Sequence, residues 1–287
     1  MIGLKKVSGE GTSSPFTARL FSGMLELRNL LVLSNTNPLN YPITREEFDK
    51  LYNPIFLAMQ ATKDAAQRIL EIIESHKTGI STGRLVKFQK DAFAILETVD
   101  NRLGQELGKL LDNGIIAAKD QIQHFLKQLF NIDISFLYHQ KEIGYKNGIT
   151  ALRSKGEGLY AEYLEQVRGA WLKEFQDLRN KREHEGWTLR PVEYIYFPPV
   201  DIQAIFPNVL GDPIDVFARR SANRVLLFVE NVIAYGFQLS GRLPVYLVEI
   251  PIDQRDPGNC RRFQAMPKMP GFGEIWRISY QDEFDFI

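Results

Sequence analysis

In "GLYAEYLEQVRGAWLKEFQDLRNKREHEGW", Gly158 to Trp187, the residues from about Gly158 to Glu185 read as one long helix. Leu159, Tyr163, Val167, Ala170, Trp171, Phe175 and Leu178 supply its apolar residues at near-helical spacing. Its end is marked chemically. Lys181, Arg182 and His184 occupy the last turn, where the helix macrodipole leaves partial negative charge, and Gly186 follows as a stop.

The same pattern extends outward in both directions. Residues 16–33 are mostly apolar with spaced charges and predict a helix. Asn and Pro turn signals in "SNTNPLNYP" end it. Thr44 with Glu47 three residues on is a capping box opening a second helix that closes at Gly79. Pro54 predicts either a later start or a kink there. From Ser81 or Thr82 the apolar positions Leu85, Phe88, Ala92, Ile95, Leu96, Val99, Leu103, Leu107 and Leu110 predict a further helix ending at Gly114. "IIAAKDQIQHFLKQLFNI" predicts the next and "ISFLYHQKEIGYKNG" a shorter one.

After Trp187 the texture changes. In "TLRPVEYIYFPPV", Val192, Tyr194 and Tyr196 alternate with Glu193 and Ile195, which predicts a strand. A helix returns from Asp212 as cap, with Pro213 in its first turn and Gly241 as its stop. "PVYLVEIP", "RRFQAM" and "EIWRISYQDEF" then predict a small terminal sheet. The expected fold is mainly α, an antiparallel helical bundle with a small C-terminal antiparallel β-sheet. Residues 1–15 are expected to be a flexible tail and 16–241 the bundle, with a β-like excursion at 188–199. Residues 242–287 are expected to form a small β appendage packed on the bundle.

Composition restricts the function. Thirty-five basic residues balance thirty-five acidic ones, so nucleic acid binding would need a local basic patch. The lone Cys260 excludes an intrachain disulfide framework and fits a reducing cytoplasm. No apolar run reaches the length of a membrane span, and the N-terminal residues lack the apolar core of a signal peptide. No H-E-x-x-H motif, paired cysteines or i, i+4 histidine pair is present, so no metal and no cofactor are expected. "GEGTSS" lacks the lysine of a phosphate loop, and "GFGE" is too short for a nucleotide fingerprint.

Within the long helix, Arg179 and Asn180 are followed by His184. As a helix end this needs no chemistry: cations favour the C-terminus, and Arg179 can pair with Glu183 at i, i+4. As a site it meets a geometric obstacle. Positions five apart point about 140° away from each other on an ideal helix. Cooperation then requires the helix to end between them or two copies to meet across a two-fold axis.

Arg, a polar residue, then His after four to six intervening positions, at the end of a long bundle helix, resembles the HEPN superfamily (higher eukaryotes and prokaryotes nucleotide-binding). Arg179, Asn180 and His184 carry the resemblance, and no other histidine here has an arginine at that upstream spacing. It implies a dimeric all-helical bundle spanning roughly residues 45–241. It also implies metal-independent endoribonuclease activity, of the kind found in phage defence and toxin–antitoxin systems. Arg179 and His184 would then be catalytic, with Asn180 in support. RNA would be the substrate, a homodimer the working form, and an antitoxin a regulatory partner. Gly186 stands where members paired with a nucleotidyltransferase antitoxin carry a modifiable tyrosine, so that mode of regulation is not implied.

The chemistry suits the residue types. Histidine, with an ordinary pKa of about 6.5, exchanges protons at neutral pH. The planar fork of arginine fits a phosphate acquiring charge. Arg182, Lys181, Arg220 and Arg224 are candidate phosphate-binding residues, with Arg168, Lys173, Arg190 and Arg219 nearby in sequence, and Trp187 can stack a base. The alternative expectation is a non-catalytic HEPN-like protein that binds RNA, nucleotide or protein.

Overall fold

The computed structural model describes residues 14–33, 43–89, 92–197, 201–239, 245–255 and 262–267. The predicted strand at "EIWRISYQDEF", the N-terminal tail and Cys260 lie outside them. The chain is mainly helical, with small two-stranded antiparallel sheets. It divides into two compact units. The first takes in Met1–Gln60, Ile115–Lys173 and Arg224–Phe286, and the second Ala61–Gly114 and Glu174–Asn223.

The helices of the structure are α1 (Pro15–Leu33), α2 (Arg45–Ser81), α3 (Asp100–Ile115), α4 (Ile122–Phe130), α5 (Glu142–Ser154), α6 (Gly158–Val167), α7 (Lys173–His184) and α8 (Ile214–Leu239). π-helical segments Ile116–Gln121 and Arg168–Leu172 join α3 to α4 and α6 to α7. The expected helix end at Gly114 is therefore not one. Gly114 is itself buried, and the apolar run Leu110, Leu111, Ile115, Ala117, Ala118 and Ile122 is buried straight through it. Burial outweighs the weak intrinsic cost of one glycine.

The capping box at the start of α2 forms as expected. The Glu47 N–H donates to Thr44 Oγ1 at 3.1 Å, and the Thr44 N–H donates back to Glu47 Oε2 at 2.7 Å. That Thr44 N–H, together with the Thr44 hydroxyl donating to the same oxygen at 2.9 Å, holds the Glu47 carboxyl below its usual range. Pro54 sits inside α2 without ending it. The helix closes where Gly83 adopts φ +73° and the Leu85 N–H reaches back to the Gly79 carbonyl at 2.9 Å.

The largest departure from expectation follows α2. There β1 (Val86–Gln89) pairs antiparallel with β2 (Ala92–Ile95), in place of the expected helix. The apolar positions Phe88, Ala92, Ile95 and Val99 satisfy a helical period. Val86 and Phe88, and Phe93 and Ile95, equally satisfy the two-residue alternation of a strand, and the structure pairs Val86 with Ile95 and Phe88 with Phe93. The strand pair has an aromatic partner: Phe88 and Phe93 lie 6.2 and 5.6 Å from the Tyr196 ring. Tyr196 belongs to β3 (Glu193–Phe197), which pairs antiparallel with β4 (Asp201–Ile205). Ile80, Leu85 and Ile202 are buried, with Phe93 and Tyr196 packed against them.

Two shorter strands, β5 (Asn208–Val209) and β6 (Asp212–Pro213), enclose a tight turn before α8. The C-terminal pair β7 (Val245–Glu249) and β8 (Phe263–Pro267) supplies the expected antiparallel sheet, within the first unit. In that unit Arg19 meets Glu230 through Nε and Nη2 at 2.6 and 2.5 Å, and Arg262 reaches the same carboxylate at 3.3 Å. All three side chains are buried. Among the described residues no helix is long and apolar enough to cross a membrane.

Candidate functional site

The second unit contains the whole Arg–Asn–His motif on α7. Helix α7 ends because Gly186 turns left-handed, at φ +71°, and the N–H groups of Glu185 and Trp187 both donate to the Lys181 carbonyl, at 2.9 and 3.2 Å. His184 is thus the last helical residue, and Arg179 lies more than a turn inside.

The two side chains differ in environment. Arg179 is 29% exposed, whereas His184 is 70% exposed. They are nevertheless brought to one atom. Arg179 Nη1 lies 2.5 Å from Glu183 Oε2, and His184 Nε2 lies 3.7 Å from that same oxygen. The first is a short ion pair. The second is a close approach that becomes an ion pair when the imidazole is protonated. Glu183 thereby offsets much of the 140° divergence expected from the helical wheel.

On its other side Arg179 faces Asp112 of α3, with Nε 3.4 Å from Oδ1. The two charges are within ion-pair range, but the N–H is not aimed for a hydrogen bond. Arg182 makes the better contact, donating from Nη1 to Asp112 Oδ2 at 3.1 Å. Two arginines and two carboxylates therefore form a locally neutral cluster, and His184 is its exposed edge. Sequence reasoning anticipated the Arg179–Glu183 pair from i, i+4 spacing. It missed Asp112, which no local pattern connects to a residue 70 positions away.

The remaining candidates separate. Asn180 is half-buried on α7. Lys181 and the half-buried Trp187 line a cleft on another side of the helix. Arg220 is held by Asp212, with Nη1 2.5 Å from Oδ2. Arg224 belongs to the first unit, as do Arg168 and Lys173. Arg168 is no part of a basic groove. It is buried, donates to the carbonyls of Leu137 and His139 and to Glu142, and its guanidinium lies 3.9 Å from the Tyr145 ring centre. The basic surface expected from sequence spacing is thus thinned, since Arg179, Arg182 and Arg220 each have a carboxylate partner.

His76, on α2, is the titratable group whose surroundings stand out in this unit. It is buried, and its Nε2 lies 2.9 Å from the Tyr194 hydroxyl. Desolvation is the main cause lowering its pKa. Glu97 opposes that shift, Arg102 adds to it, and Asp100 opposes it. Among the described residues no three His, Cys, Asp or Glu side chains are placed to hold a metal ion. Compared with known proteins, the chain matches no family model, no curated protein and no solved structure.

Proposed function

We propose that the chain is an HEPN-like, metal-independent endoribonuclease using Arg179 and His184, with Asn180 supporting them. One observation carries this reading: both side chains reach the same Glu183 oxygen despite their helical divergence. In the reaction the 2′-hydroxyl of the RNA attacks the adjacent phosphorus and the bond to the 5′-oxygen breaks. A 2′,3′-cyclic phosphate and a free 5′-hydroxyl result. His184 exchanges the proton that one of these oxygens loses or gains. Arg179 leaves Glu183 for the phosphate oxygens, where charge accumulates. A second copy of the chain supplies the second imidazole, making the working form a cytoplasmic homodimer. Arg182 and Arg220 bind the strand on leaving Asp112 and Asp212, and an antitoxin or other regulator restrains the activity in a phage-defence or toxin–antitoxin setting.

A second reading, a non-catalytic HEPN-like binding or scaffold protein, is favoured by the neutral cluster. Arg179 and Arg182 already have Glu183 and Asp112 as partners. Cleavage of mixed single-stranded RNA and tRNA in EDTA separates the two. Wild type is compared with His184→Ala and Arg179→Ala, once both are shown folded and unchanged in oligomeric state. Activity lost in both variants, with cyclic-phosphate ends in the wild type, supports the nuclease. Inactive wild type that still binds RNA supports the binding protein.

A further inference from the structure

A cleft of about 720 Å³ opens in the second unit along the face of α7 that carries Glu174, Asp177, Leu178 and Lys181. These positions follow the i, i+3, i+4, i+7 spacing of one helical face. Trp187 and Arg190 continue the wall beyond the helix end, with Glu193 from β3, Ile205 from β4 and Leu210 from the turn between β5 and β6. Its volume is in the range of small-ligand sites.

The charges in this cleft behave differently from those a turn away. Arg179, Arg182, Asp112 and Glu183 pair with one another. Glu174, Asp177, Lys181, Arg190 and Glu193 form no ion pair with any described residue. Asp177 and Lys181, at i, i+4, have the spacing to pair and do not. Unpaired charges of both signs therefore share one cleft with an indole and aliphatic side chains.

Leu210 supplies a second, independent observation. Val209 pairs with Asp212, so Leu210 and Gly211 form a two-residue hairpin turn, with φ of +51° and +90°. Such turns favour Asn-Gly because both central residues have positive φ. A leucine there bears a conformational cost, and its side chain is 49% exposed at the cleft. Burial on folding does not offset that cost, whereas contact with a ligand would.

We propose that this cleft binds a short peptide segment carrying a cationic and an acidic side chain around an apolar one. The cation meets Glu174 and Asp177, the acid meets Lys181 and Arg190, and the apolar residue lies against Leu210, Ile205 and Trp187. Glu174 and Lys181 are separated by about 10 Å along the helix axis, the length of roughly three extended residues. A polyanion would meet three carboxylates here, and an acyl chain would strip water from five charges. A peptide main chain also suits the border, because Glu193 and Ile205 are the last pair of a two-stranded sheet with open edges.

The test is titration calorimetry of the full chain with end-blocked tetrapeptides. Lys-Leu-Leu-Glu is compared with Gln-Leu-Leu-Gln, Lys-Leu-Leu-Lys and Glu-Leu-Leu-Glu. Saturable binding of the mixed-charge peptide, about tenfold tighter than the neutral one, is expected. The double variant Glu174→Gln/Asp177→Asn abolishes that advantage. Leu210→Asn weakens binding while raising the thermal midpoint, so lost affinity is not misread as lost folding. The proposal is overturned if charge makes no difference among the peptides, if none binds at millimolar concentration, or if the variants bind as wild type does. It is equally overturned if oligouridylate binds and Glu174→Gln/Asp177→Asn strengthens it, which would make the cleft an RNA site.

Discussion

The Arg182 guanidinium lies where a side chain at Gly108 would begin: a Cβ built there would come within 2.1 Å of Arg182 Nη2. The missing methyl on α3 is what lets the guanidinium settle beside Asp112.

Gly108→Ala is therefore expected to dislodge Arg182 without unfolding the chain. The obstructing atoms are the far end of a flexible side chain, and alanine gains about 1 kcal/mol of helix propensity over glycine. Losing a partly exposed ion pair returns only about 0–1 kcal/mol of that. Net stability should stay level or rise by up to about 1 kcal/mol in urea titrations. Gly148→Ala is the contrasting case, because its new Cβ would meet Cγ and Cβ of Phe136 at 2.1 and 2.5 Å, close to that residue's own backbone. A loss of about 1–3 kcal/mol is expected. Equal effects of the two variants would contradict this account.

Glu183→Gln removes the oxygen's charge that holds Arg179 and attracts a protonated His184. On the nuclease reading, cleavage in EDTA should rise because Arg179 no longer chooses between a carboxylate and the phosphate. Stability should change by about 0.5 kcal/mol or less, as for other exposed helix pairs. Reduced cleavage with intact folding would show instead that Glu183 positions the pair.

His76 gives the second unit a defined acid response. Its folded pKa lies below the ordinary 6.5 because burial disfavours the imidazolium. The unfolded chain therefore takes up the proton first as pH falls. The stability contribution is complete above about pH 6.5 and is lost from there down through the folded pKa. Urea midpoints should fall in that window for wild type, and the fall should be smaller in His76→Leu. Parallel profiles would assign the acid sensitivity to other groups.

Glu230 is the anion on which Arg19 and Arg262 converge. Glu230→Ala leaves two buried guanidinium groups without that partner, at a cost of about 3–5 kcal/mol. Glu230→Gln, which keeps the shape and one acceptor, should cost less. Measured unfolding free energies order the three proteins, and a change below about 1 kcal/mol for alanine would show that the cluster is not strongly coupled.

Local signals in the sequence were most informative where one period dominated. The Thr44–Glu47 box, the helical run from Gly158 and the stop at Gly186 all became the expected structure, although Leu159 and Ala170 of its apolar stripe are exposed. Residues 86–89 and 92–95 did not, since Phe88, Phe93 and Ile95 fit two periods at once and the Tyr196 ring, about 100 positions later, is among the packing partners of the strand pair. The site divides the same way. Arg179, Glu183 and His184 were readable from one helix, whereas Asp112 and the cleft wall at Leu210 come from segments that only the folded chain brings near.

Trp187 has an optical consequence. Of the described tryptophans, Trp171 is buried 6.3 Å from the Phe228 ring, whereas Trp187 is half-buried at the cleft. Aqueous quenchers should therefore reach the indole at 187 far more readily than that at 171. Any occupant of the cleft that dries that ring should move its emission toward the blue and shield it from acrylamide. The protein thus carries its own fluorophore at the place where a ligand would be seen.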